Sequence, residues 1–434
     1  MKKIIKKLIP KFLINFYHWF LAGLGALYYQ FPSRRLTVIG VTGTKGKSST
    51  IFLTAKILEA AGFRVNWISS LSIKISDKEQ LNPLHMTMPG RFFIQKAIAK
   101  AVKIGCDYFL IEVTSEGIKQ HRHRFIDFDV AVFTNLAPEH LETHGGFENY
   151  KKAKGELFKS LKKSFYKTIR GIKIPKIIIA NIDDDNCSYF LNFGADQKIG
   201  FGFNSKSDYL KLCNAAIIPS SGSSLFDSSL LGSFNLYNNL AAYAIGISQG
   251  VNEKIIKDAL AKIKLIPGRL EEIKEGQKFR IFVDLAHTPD SFKQIFETIN
   301  LIKKPQNKII TIFGSAGGGR DRWKRPELGR LAAKFSDFIV ITNEDSYDED
   351  PKTIINEITK GVEELNFSYE RLFKIEDRRL GIRKGLELAS ENDIVLILGK
   401  GTEATYVVGK NKYPWDDRRV AKEELKNLIN KAER

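Results

Sequence analysis

Residues 36–50 carry the strongest chemical signal in the sequence. They read LTVIGVTGTKGKSST, a β-branched run followed by three glycines at intervals of three and then by Lys47 and two serines. Glycines let backbone amides curl around a phosphate, a lysine at this offset reaches the terminal phosphates, and a serine hydroxyl can ligate Mg²⁺. The segment therefore predicts a nucleoside triphosphate site, which is formed by Gly40, Gly43, Thr44, Lys45, Gly46, Lys47, Ser48 and Ser49.

The glycine spacing differs from that of the strict P-loop. A strict P-loop has glycine five residues before the Gly-Lys pair, and this chain has Val41 there. The alternative is a glycine-rich turn that only joins a strand to a helix. The lysine and serine at the required offsets argue against that alternative.

An acidic residue ends a second apolar run. Glu112 opens the sequence EVTSEG where the predicted strand 108–113 ends. A carboxylate at the carboxyl edge of a parallel sheet, beside a phosphate-binding loop, is well placed to hold Mg²⁺. Taken alone, such an acid is more often a solvated strand end. Its position in the fold therefore makes Glu112 a predicted metal ligand, together with Ser48.

Short apolar runs alternate with helical segments along most of the chain, which predicts an α/β fold of parallel sheets flanked by helices. Residues 209–233 are rich in serine and predict antiparallel strands or loop. After Pro267 a second alternating series begins, so we place a domain boundary near Pro267–Gly268. The predicted strands are 36–41, 108–113, 130–135 and 176–181, and then 280–284, 308–313, 338–342 and 393–398.

Composition limits the class of protein. The chain has 434 residues, of which 43% are hydrophobic, enough for two or three globular domains. Its three cysteines lie far apart without a CxxC pair, which favours a reducing compartment and argues against a disulfide framework or a zinc site. The net charge of +19 favours polyanionic partners such as nucleotides or anionic lipids. Nucleic acid is disfavoured because no basic strand with interleaved aromatic residues and no recognition helix is present.

The amino terminus combines lysines with an apolar stretch. Five lysines among the first eleven residues precede residues 12–30, which contain no Asp, Glu, Lys or Arg. The stretch approaches the roughly 20 residues that span a bilayer, but Asn15, His18 and two glycines interrupt it. No small-x-small cleavage site follows, which argues against a secretory signal. Two interpretations stay open: a pair of helices packed on the protein itself, or a monotopic anchor in which residues 1–30 touch an anionic membrane surface.

The longest motif lies at residues 132–158, VFTNLAPEHLETHGGFENYKKAKGELF. Its features and their order resemble the central domain of the Mur ligases, and the phosphate-binding loop resembles that of Mur ligases and folylpolyglutamate synthetases. The resemblance implies that His140 ligates Mg²⁺ and that His144 occupies the family's His-Gly position. It also implies that Lys154 is carbamylated, which turns a cation into a carboxylate-like Mg²⁺ ligand. Without the resemblance, His140 would be an ordinary turn histidine and Lys154 a solvated lysine.

The resemblance extends over nearly everything from Leu36 onward. It implies an apolar and basic segment at 1–35, a central P-loop ATP-binding domain at 36–267 and a Rossmann-like carboxyl-terminal ligase domain at 268–434. It assigns Asn235 and Asn238 to adenine, Arg269 to an ATP phosphate and Asp284 to the ribose. The implied substrate contacts are Thr87, Ser115, Arg122, Asp345 and Glu403.

Three departures from the family pattern bear on the substrate. Only about 35 residues precede Leu36, below the usual size of a domain, so we expect the family's amino-terminal UDP-binding domain to be missing. The family's paired threonines are reduced to Thr87, and a family histidine is replaced by Glu116. Where relatives that add diaminopimelate have Asp-Asn-Pro-Arg, residues 344–347 read EDSY. The arginine that would clamp a second carboxylate is absent, and the acids Asp345, Asp348 and Glu349 would favour a cationic amino acid such as lysine.

The reaction that the resemblance implies is ATP-dependent formation of an amide bond. The chain most resembles the branch that adds the third residue of the peptidoglycan stem peptide, in the cytoplasm, through an acyl phosphate and with Mg²⁺. The rival interpretations are a related ligase with a lipid-linked, folate or polyglutamate acceptor, and a non-ligating nucleotide-binding scaffold associated with the inner face of the membrane. The residues that would carry the catalysis are Lys47, Glu112, His140 and Lys154.

Overall fold

The computed structural model describes residues 10–84, 86–139, 141–204, 207–219, 230–319 and 321–432. These residues form two compact units: unit 2 begins at Lys264 and also takes in residues 230–233, and the remaining described residues up to Ile263 form unit 1. The predicted α/β class is confirmed in both units, because each is built on a largely parallel sheet.

Unit 1 contains nine helices and eleven strands within the described residues. The helices are α1 Lys11–Tyr28, α2 Lys47–Ala60, α3 Arg91–Lys103, α4 Ser115–Lys119, α5 Leu141–His144, α6 Phe147–Leu161, α7 Cys187–Leu191, α8 Ser233–Ser248 and α9 Glu253–Lys262. The strands are β1 Thr37–Thr42, β2 Val65–Ile68, β3 Ser72–Ile75, β4 Lys78–Leu81, β5 Tyr108–Glu112, β6 Val130–Phe133, β7 Thr168–Ile169, β8 Ile172–Lys173, β9 Ile177–Asn181, β10 Gln197–Phe201 and β11 Ala215–Ile217.

Nine of these strands form one sheet in the order β11-β10-β9-β6-β1-β5-β2-β3-β4. All neighbours from β11 to β2 are parallel, and only β3 and β4 are antiparallel. Strands β1, β5 and β6 are fully buried, which is why they read as continuous apolar runs rather than as alternating ones. Their carboxyl ends meet at one edge, where ligands bind in open α/β sheets.

The serine-rich segment departs from the prediction. Residues 215–217 form β11, which pairs with β10 in the parallel direction, so the expected antiparallel pairing is wrong in this part. A short 3₁₀ helix, Asp208–Leu212, lies in the connection between the two strands. This connection is long enough to return the chain to the start of β10, so β11 runs in the same direction. Residues 220–229 lie outside the described part of the chain.

A buried cluster of charged residues lies at the opposite edge of the unit 1 sheet, where the strands begin. Asp129, directly before β6, accepts hydrogen bonds from Lys167 and from Lys176, whose Nζ lies 2.9 Å from Asp129 Oδ1, and all three side chains are inaccessible to solvent. The lysines also donate to backbone carbonyls, among them Leu36 and Phe128. Burial lowers the pKa of Lys167 to about 8, although Asp129 opposes the shift.

The amino-terminal stretch forms one helix, α1, rather than a pair. One face of α1 packs on the protein: Gly25 lies against the Phe92 ring of α3, Gly23 against the Phe125 ring, and Trp19 lies 5.6 Å from Phe125. Among the described residues, no helix combines the length and the apolar character needed to cross a bilayer. The opposite face of α1 is exposed and apolar.

Unit 2 has five helices in its described residues: α10 Pro289–Ile302, α11 Lys324–Phe335, α12 Pro351–Glu363, α13 Arg378–Glu387 and α14 Asp417–Ala432. Its strands are β12 Glu271–Ile273, β13 Arg280–Asp284, β14 Ile309–Phe313, β15 Phe338–Thr342, β16 Leu372–Ile375, β17 Ile394–Leu398, β18 Thr405–Val408 and β19 Asn411–Pro414. The sheet order is β12-β13-β17-β14-β15-β16, and only β12 is antiparallel.

Local signals explain where the unit 2 helices begin. Thr288 and Ser291 form a reciprocal capping box with Pro289 at the first helical position of α10. The carboxylate of Asp350 accepts from Lys352 N at the start of α12, as expected for an Asp that precedes Pro351. Both helices follow a strand end, so their first residues lie at the carboxyl edge of the sheet.

Candidate active site

Two glycines shape the phosphate-binding loop between β1 and α2. Gly43 has φ +150° and Gly46 has φ +81°, backbone conformations that side chains rarely adopt. A Cβ at Gly43 would collide with Thr134 Oγ1, and one at Gly46 would collide with Asn238 Oδ1. The loop therefore needs glycine at both places for its conformation and for its packing. Its amides lead into the amino terminus of α2, the favourable end for an anion.

Lys47 lies over this loop. Its Nζ donates to Gly43 O at 3.1 Å and to Thr44 O at 2.8 Å, and it lies 3.9 Å from Glu112 Oε1. The ammonium group thus stays where the loop converges, and a bound phosphate can replace the carbonyls as its partner. This arrangement suits the predicted phosphate contact of Lys47.

Glu112 organises the oxygen donors beside the loop. Its Oε2 accepts from Ser48 Oγ at 2.7 Å, from Ser70 N at 2.7 Å and from Ser70 Oγ at 3.0 Å. Carboxylate and hydroxyl oxygens are the ligands that Mg²⁺ prefers. The structure therefore brings together the predicted pair Ser48 and Glu112, and their chemistry fits Mg²⁺.

Sequence reasoning missed Ser70. It belongs to a serine pair that directly follows β2, and its Oγ lies 2.6 Å from Ser48 Oγ. The signal was the same as for Glu112, namely a polar residue directly after a buried strand of the parallel sheet. Ser70 orients both the carboxylate and the hydroxyl of the candidate Mg²⁺ site.

We expect the substitution Ser70→Ala to raise the KM for MgATP about tenfold, because one hydrogen bond to a charged group is worth about 1.5–3 kcal/mol. The measurement is the ATP dependence of ADP release at fixed free Mg²⁺. Ser160→Ala, which removes a hydroxyl bonded within α6, serves as the control. An unchanged KM in Ser70→Ala would mean that Ser70 has no role in this site.

The loop after β6 holds the phosphate-binding loop from the other side. Asn135 Oδ1 accepts from Lys45 N at 2.9 Å, and Asn135 O accepts from Thr44 N at 2.8 Å. Thr134 Oγ1 donates to Lys45 O at 2.7 Å, and Lys45 Nζ pairs with Glu139 at 3.1 Å. Thr44 and Lys45 are thus fixed by this loop, a role that their sequence motif does not reveal.

Lys154 lies inside unit 1 rather than in solvent. It projects from α6, its Nζ donates to Gly43 O at 2.6 Å, and it lies 4.4 Å from the centre of the Tyr150 ring. Its side chain is 2% exposed. Burial, with Lys47 nearby, lowers the pKa of Lys154 well below its usual value. The interpretation as a solvated lysine is therefore wrong, because the amine touches the phosphate-binding loop.

The two histidines of the long motif differ in what can be said of them. His140 lies outside the described residues. His144 ends the short helix α5, and its ring lies edge-on to Tyr150 with the ring centres 5.4 Å apart. His144 is thus near the ring that covers Lys154.

The two asparagines of α8 lie beside the phosphate-binding loop. Asn238 Nδ2 donates to Asn235 Oδ1 at 3.0 Å, and both side chains are buried. Asn238 Oδ1 is the atom that meets Gly46. The structure therefore places both predicted adenine contacts close to the loop.

Arg122 joins a second group of predicted residues. Its guanidinium donates to Met88 O and lies 2.9 Å from Met86 Sδ, so it binds both neighbours of Thr87. Burial lowers the pKa of Arg122. Arg122 and Thr87 are thus adjacent, as expected for residues that share a substrate.

Ser115, the third residue predicted to contact the substrate, is buried at the start of α4. The side chain of Thr114 caps this helix by accepting from Gly117 N.

In unit 2, Asp284 links the two motifs that begin it. Its carboxylate accepts from Leu270 N at 2.7 Å and from Ala286 N at 2.6 Å. Arg269 is the residue before Leu270 and is partly buried. The structure therefore brings Arg269 near Asp284, the pair to which an ATP phosphate and the ribose were assigned.

The acids proposed to select a cationic amino acid are largely paired. Asp345 Oδ1 accepts from Lys400 Nζ at 3.0 Å and from Val407 N at 2.8 Å, and Glu403 pairs with the same lysine at 2.8 Å. Glu349 pairs with Arg325 at 2.9 Å. The expected preference for a cationic amino acid thus loses the support of Asp345 and Glu349, because each already has a basic partner within the protein.

A different group of polar atoms remains available in unit 2. In the loops after two of its strands, four oxygen atoms of side chains are buried without a hydrogen-bond partner among the described residues: Ser315 Oγ, Asn343 Oδ1, Glu344 Oε2 and Ser346 Oγ. They follow β14 and β15, two neighbouring parallel strands. Burial raises the pKa of Glu344. Because buried polar atoms normally have partners, this edge is equipped to bind a polar ligand.

Comparison with known families places both units. Residues 41–246 match the Mur ligase middle domain, and residues 268–401 match the domain described as Mur ligase, glutamate ligase domain. UDP-N-acetylmuramoyl-L-alanyl-D-glutamate–2,6-diaminopimelate ligase of Geobacillus kaustophilus is 34% identical over 431 residues, which cover 96% of this chain and 84% of the relative. UDP-N-acetylmuramyl-tripeptide synthetase of Treponema denticola is 36% identical, with 93% and 78% covered.

Solved structures agree. A UDP-N-acetylmuramoyl-L-alanyl-D-glutamate–2,6-diaminopimelate ligase superposes with a TM-score of 0.57 at 27% identity, covering 91% of this chain and 79% of the other. Folylpolyglutamate synthase of Mycobacterium tuberculosis has a TM-score of 0.64 at 14% identity, with 94% of each chain covered, and shares the fold. On the two domain matches and the relatives that are more than a third identical, the chain belongs to the Mur ligase family of ATP-dependent ligases.

Proposed function

We propose that this protein is a carboxylate–amine ligase that uses ATP to add an amino acid to a UDP-N-acetylmuramoyl peptide in peptidoglycan precursor synthesis. One observation carries the proposal: Lys47 Nζ and Lys154 Nζ both donate to the carbonyl of Gly43 on the phosphate-binding loop, and Glu112, which accepts from Ser48, lies 3.9 Å from Lys47 Nζ. A lysine beside oxygen ligands that suit Mg²⁺ is what transfer of a terminal phosphate requires.

In this proposal ATP lies on the loop, with its terminal phosphate beside Lys47. A substrate carboxylate attacks the γ-phosphorus, the bond to the bridging oxygen breaks, and ADP leaves. Lys47 offsets the negative charge that develops on the equatorial oxygens. The acyl phosphate is then attacked by the amino group of the incoming amino acid, which loses a proton and forms the amide as inorganic phosphate departs.

Mg²⁺ would be held by Ser48 and Glu112, with His140 as a further ligand implied by the family resemblance. When bound, it supplies Lewis-acid stabilisation of the phosphate oxygens. We propose in addition that Lys154 is carbamylated. Its buried position supports this because a neutral amine, not an ammonium ion, reacts with CO₂.

We assign the remaining predicted residues as follows. Asn235 and Asn238 would contact adenine, and Arg269 and Asp284 an ATP phosphate and the ribose. Thr87, Ser115 and Arg122 would contact the peptide acceptor. For the incoming amino acid we propose the edge that carries Glu344, Ser315 and Ser346, with Asp345 and Glu403 held beside it by Lys400. The domain bounds are proposed as 36–267 and 268–434.

The location we propose is the cytoplasm, with the amino-terminal segment 1–30 at an anionic membrane surface. The cytoplasm supplies ATP and suits three cysteines that form no disulfide. The membrane contact is independent of the ligase chemistry.

The decisive experiment is a ligation screen. The purified chain is incubated with MgATP, UDP-N-acetylmuramoyl-L-alanyl-D-glutamate and single amino acids that include lysine, diaminopimelate and neutral polar residues. Products are identified by mass and ADP is measured in parallel. We expect one amino acid to give a nucleotide-linked tripeptide and stoichiometric ADP. Absence of product with every amino acid, while a lipid-linked or folate acceptor is extended, would overturn the proposed acceptor.

A further inference from the structure

The outer face of α1 is an unusual surface for a protein exterior. Its exposed side chains include Phe12, Phe16, Phe20 and Leu24 at intervals of four, with exposed fractions between 44% and 69%. At about 100° per residue these positions follow one stripe of the helix. Further exposed apolar side chains widen the stripe, namely Leu13, Tyr17, Leu27 and Tyr28. Trp19 lies at its border, because it is 45% exposed and also contacts Phe125.

The opposite face of the same helix is already occupied. Ala22 and Ala26 are buried, and the glycines between them lie against Phe92 and Phe125. Helix α1 is therefore apolar on both faces, but only one face packs on the protein. Contiguous exposed aromatic surface of this kind marks an interaction site.

The sequence that forms this stripe and the residues that precede it carry positive charge only. The first Asp or Glu of the chain is Glu59, and lysines occupy positions 2, 3, 6, 7 and 11. The neighbouring helix α3 contains no acid either, and its exposed face carries Lys96, Lys100 and Lys103 in line with Phe92. Beyond the end of α1, Arg35 is exposed, whereas the exposed Arg34 pairs with Asp127 at 3.0 Å.

We propose that α1 lies flat on an anionic lipid bilayer, with its aromatic stripe inserted at the level of the headgroups and the α3 lysines against the phosphates. An aromatic stripe flanked by cations is what such an interface recognises, and Trp and Tyr favour that depth. The inserted face is one side of a helix whose other side stays on the protein, so the helix does not span. A second copy of this chain is the competing occupant. It is disfavoured because α1 and α3 offer no acid to pair with the cations of a symmetric partner.

The test is co-sedimentation of the full chain with vesicles of phosphatidylcholine alone or with phosphatidylglycerol, at low and high salt. We expect binding to the anionic vesicles, weakened by salt. The double substitution Phe16→Ser/Phe20→Ser should lower the partition coefficient more than about tenfold. Its matched control is Leu301→Ser/Tyr369→Ser, two side chains of unit 2 that are 84% and 72% exposed.

A second pair of variants separates charge from insertion. Lys96→Gln/Lys100→Gln should lower binding about tenfold at low salt and little at high salt, whereas Lys410→Gln/Lys412→Gln, exposed lysines of unit 2, should leave it unchanged. Insertion should also shift the emission of Trp19 to the blue, and Trp19→Phe should remove that shift.

Folding and nucleotide binding of each variant are checked by thermal unfolding and by a fluorescent ATP analogue, so that loss of structure is recognised. Indifference of the intact chain to both kinds of vesicle would overturn the proposal. A second contradicting result would be a dimer of the intact chain in sedimentation equilibrium, together with no binding to vesicles. If Phe16→Ser/Phe20→Ser dissociates that dimer, the stripe is an interface between two copies of the chain. Ligation measured without vesicles tests the proposed function separately, because none of these residues belongs to the active site.

Discussion

Replacing Lys47 with alanine should lower the rate of ADP formation by about three orders of magnitude or more. The variant loses the cation that lies 2.8 Å from Thr44 O and 3.9 Å from Glu112, at the convergence of the phosphate-binding loop. The lysine charge stabilises the transition state of phosphoryl transfer more than it stabilises bound ATP, so the substitution should mainly lower kcat. The measurement is single-turnover and steady-state release of ADP with acceptor and amino acid present.

Lys56→Ala is the matched control for this prediction. Lys56 belongs to the same helix, but it pairs with Glu59 and Glu79 away from the loop. Its loss should leave the rate within a few-fold of the parent. Near-normal turnover by Lys47→Ala would refute the phosphate-binding role of the whole loop.

Lys154→Ala should be inactive, and short carboxylates such as formate or acetate should partly restore its activity. The substitution leaves a space beside Gly43 O in which a small acid can take the place of the carbamate. Intact protein equilibrated with ¹³C-labelled CO₂ should show a carbamate signal that Lys154→Ala lacks. Activity is measured with and without added carboxylate in both proteins.

Lys152→Ala is the control, because Lys152 lies on the exposed side of the same helix. It should be active and should not respond to carboxylates. If Lys154→Ala ligates unaided, or if no carbamate signal is found, Lys154 serves only to position Gly43. A carbamate at Lys154 and a purely positioning role are distinguishable, because in the positioning role Lys154→Ala is not rescued by carboxylates.

The sequence predicted the fold class and eight of the nineteen strands of the described residues, because those eight are of the most recognisable kind. All eight predicted strands are present, with ends that differ by at most two residues. Strands such as β5 and β17 are buried on both faces and therefore read as unbroken apolar runs. The pairing of β11 was not predictable in the same way, because three partly exposed residues carry little pattern and the direction of pairing depends on the chain that leads to them.

In the candidate site, too, some residues were predicted from the sequence and others were not. Gly43, Lys47 and Ser48 were predicted because they are adjacent and have a fixed spacing. Ser70 was missed because its relation to Glu112 exists only after two strands are placed side by side. Burial likewise reversed the properties of Lys154, since no local pattern distinguishes it from Lys151 and Lys152.

The ion pairs of the acidic side chains were the hardest feature to predict from the sequence. Asp345 and Glu349 looked like free carboxylates in the sequence, but their partners Lys400 and Arg325 are distant along the chain. Conversely, Glu344 stands beside Asp345 in the sequence and yet is buried without such a partner for Oε2. We therefore propose Glu344 as the first residue at which to test the amino acid preference.

The cluster of Asp129 with two lysines has a consequence for how stability changes with pH. The pKa of Lys167 is lowered from its usual value to about 8, so the folded protein holds this proton less tightly than the unfolded chain does. Between pH 8 and the usual lysine range, the unfolded chain thus binds more protons, and the free energy of unfolding contributed by this group rises with pH. At this edge of the sheet, mildly alkaline solution relieves the burial penalty of the Lys167 ammonium group while it weakens the ion pair with Asp129.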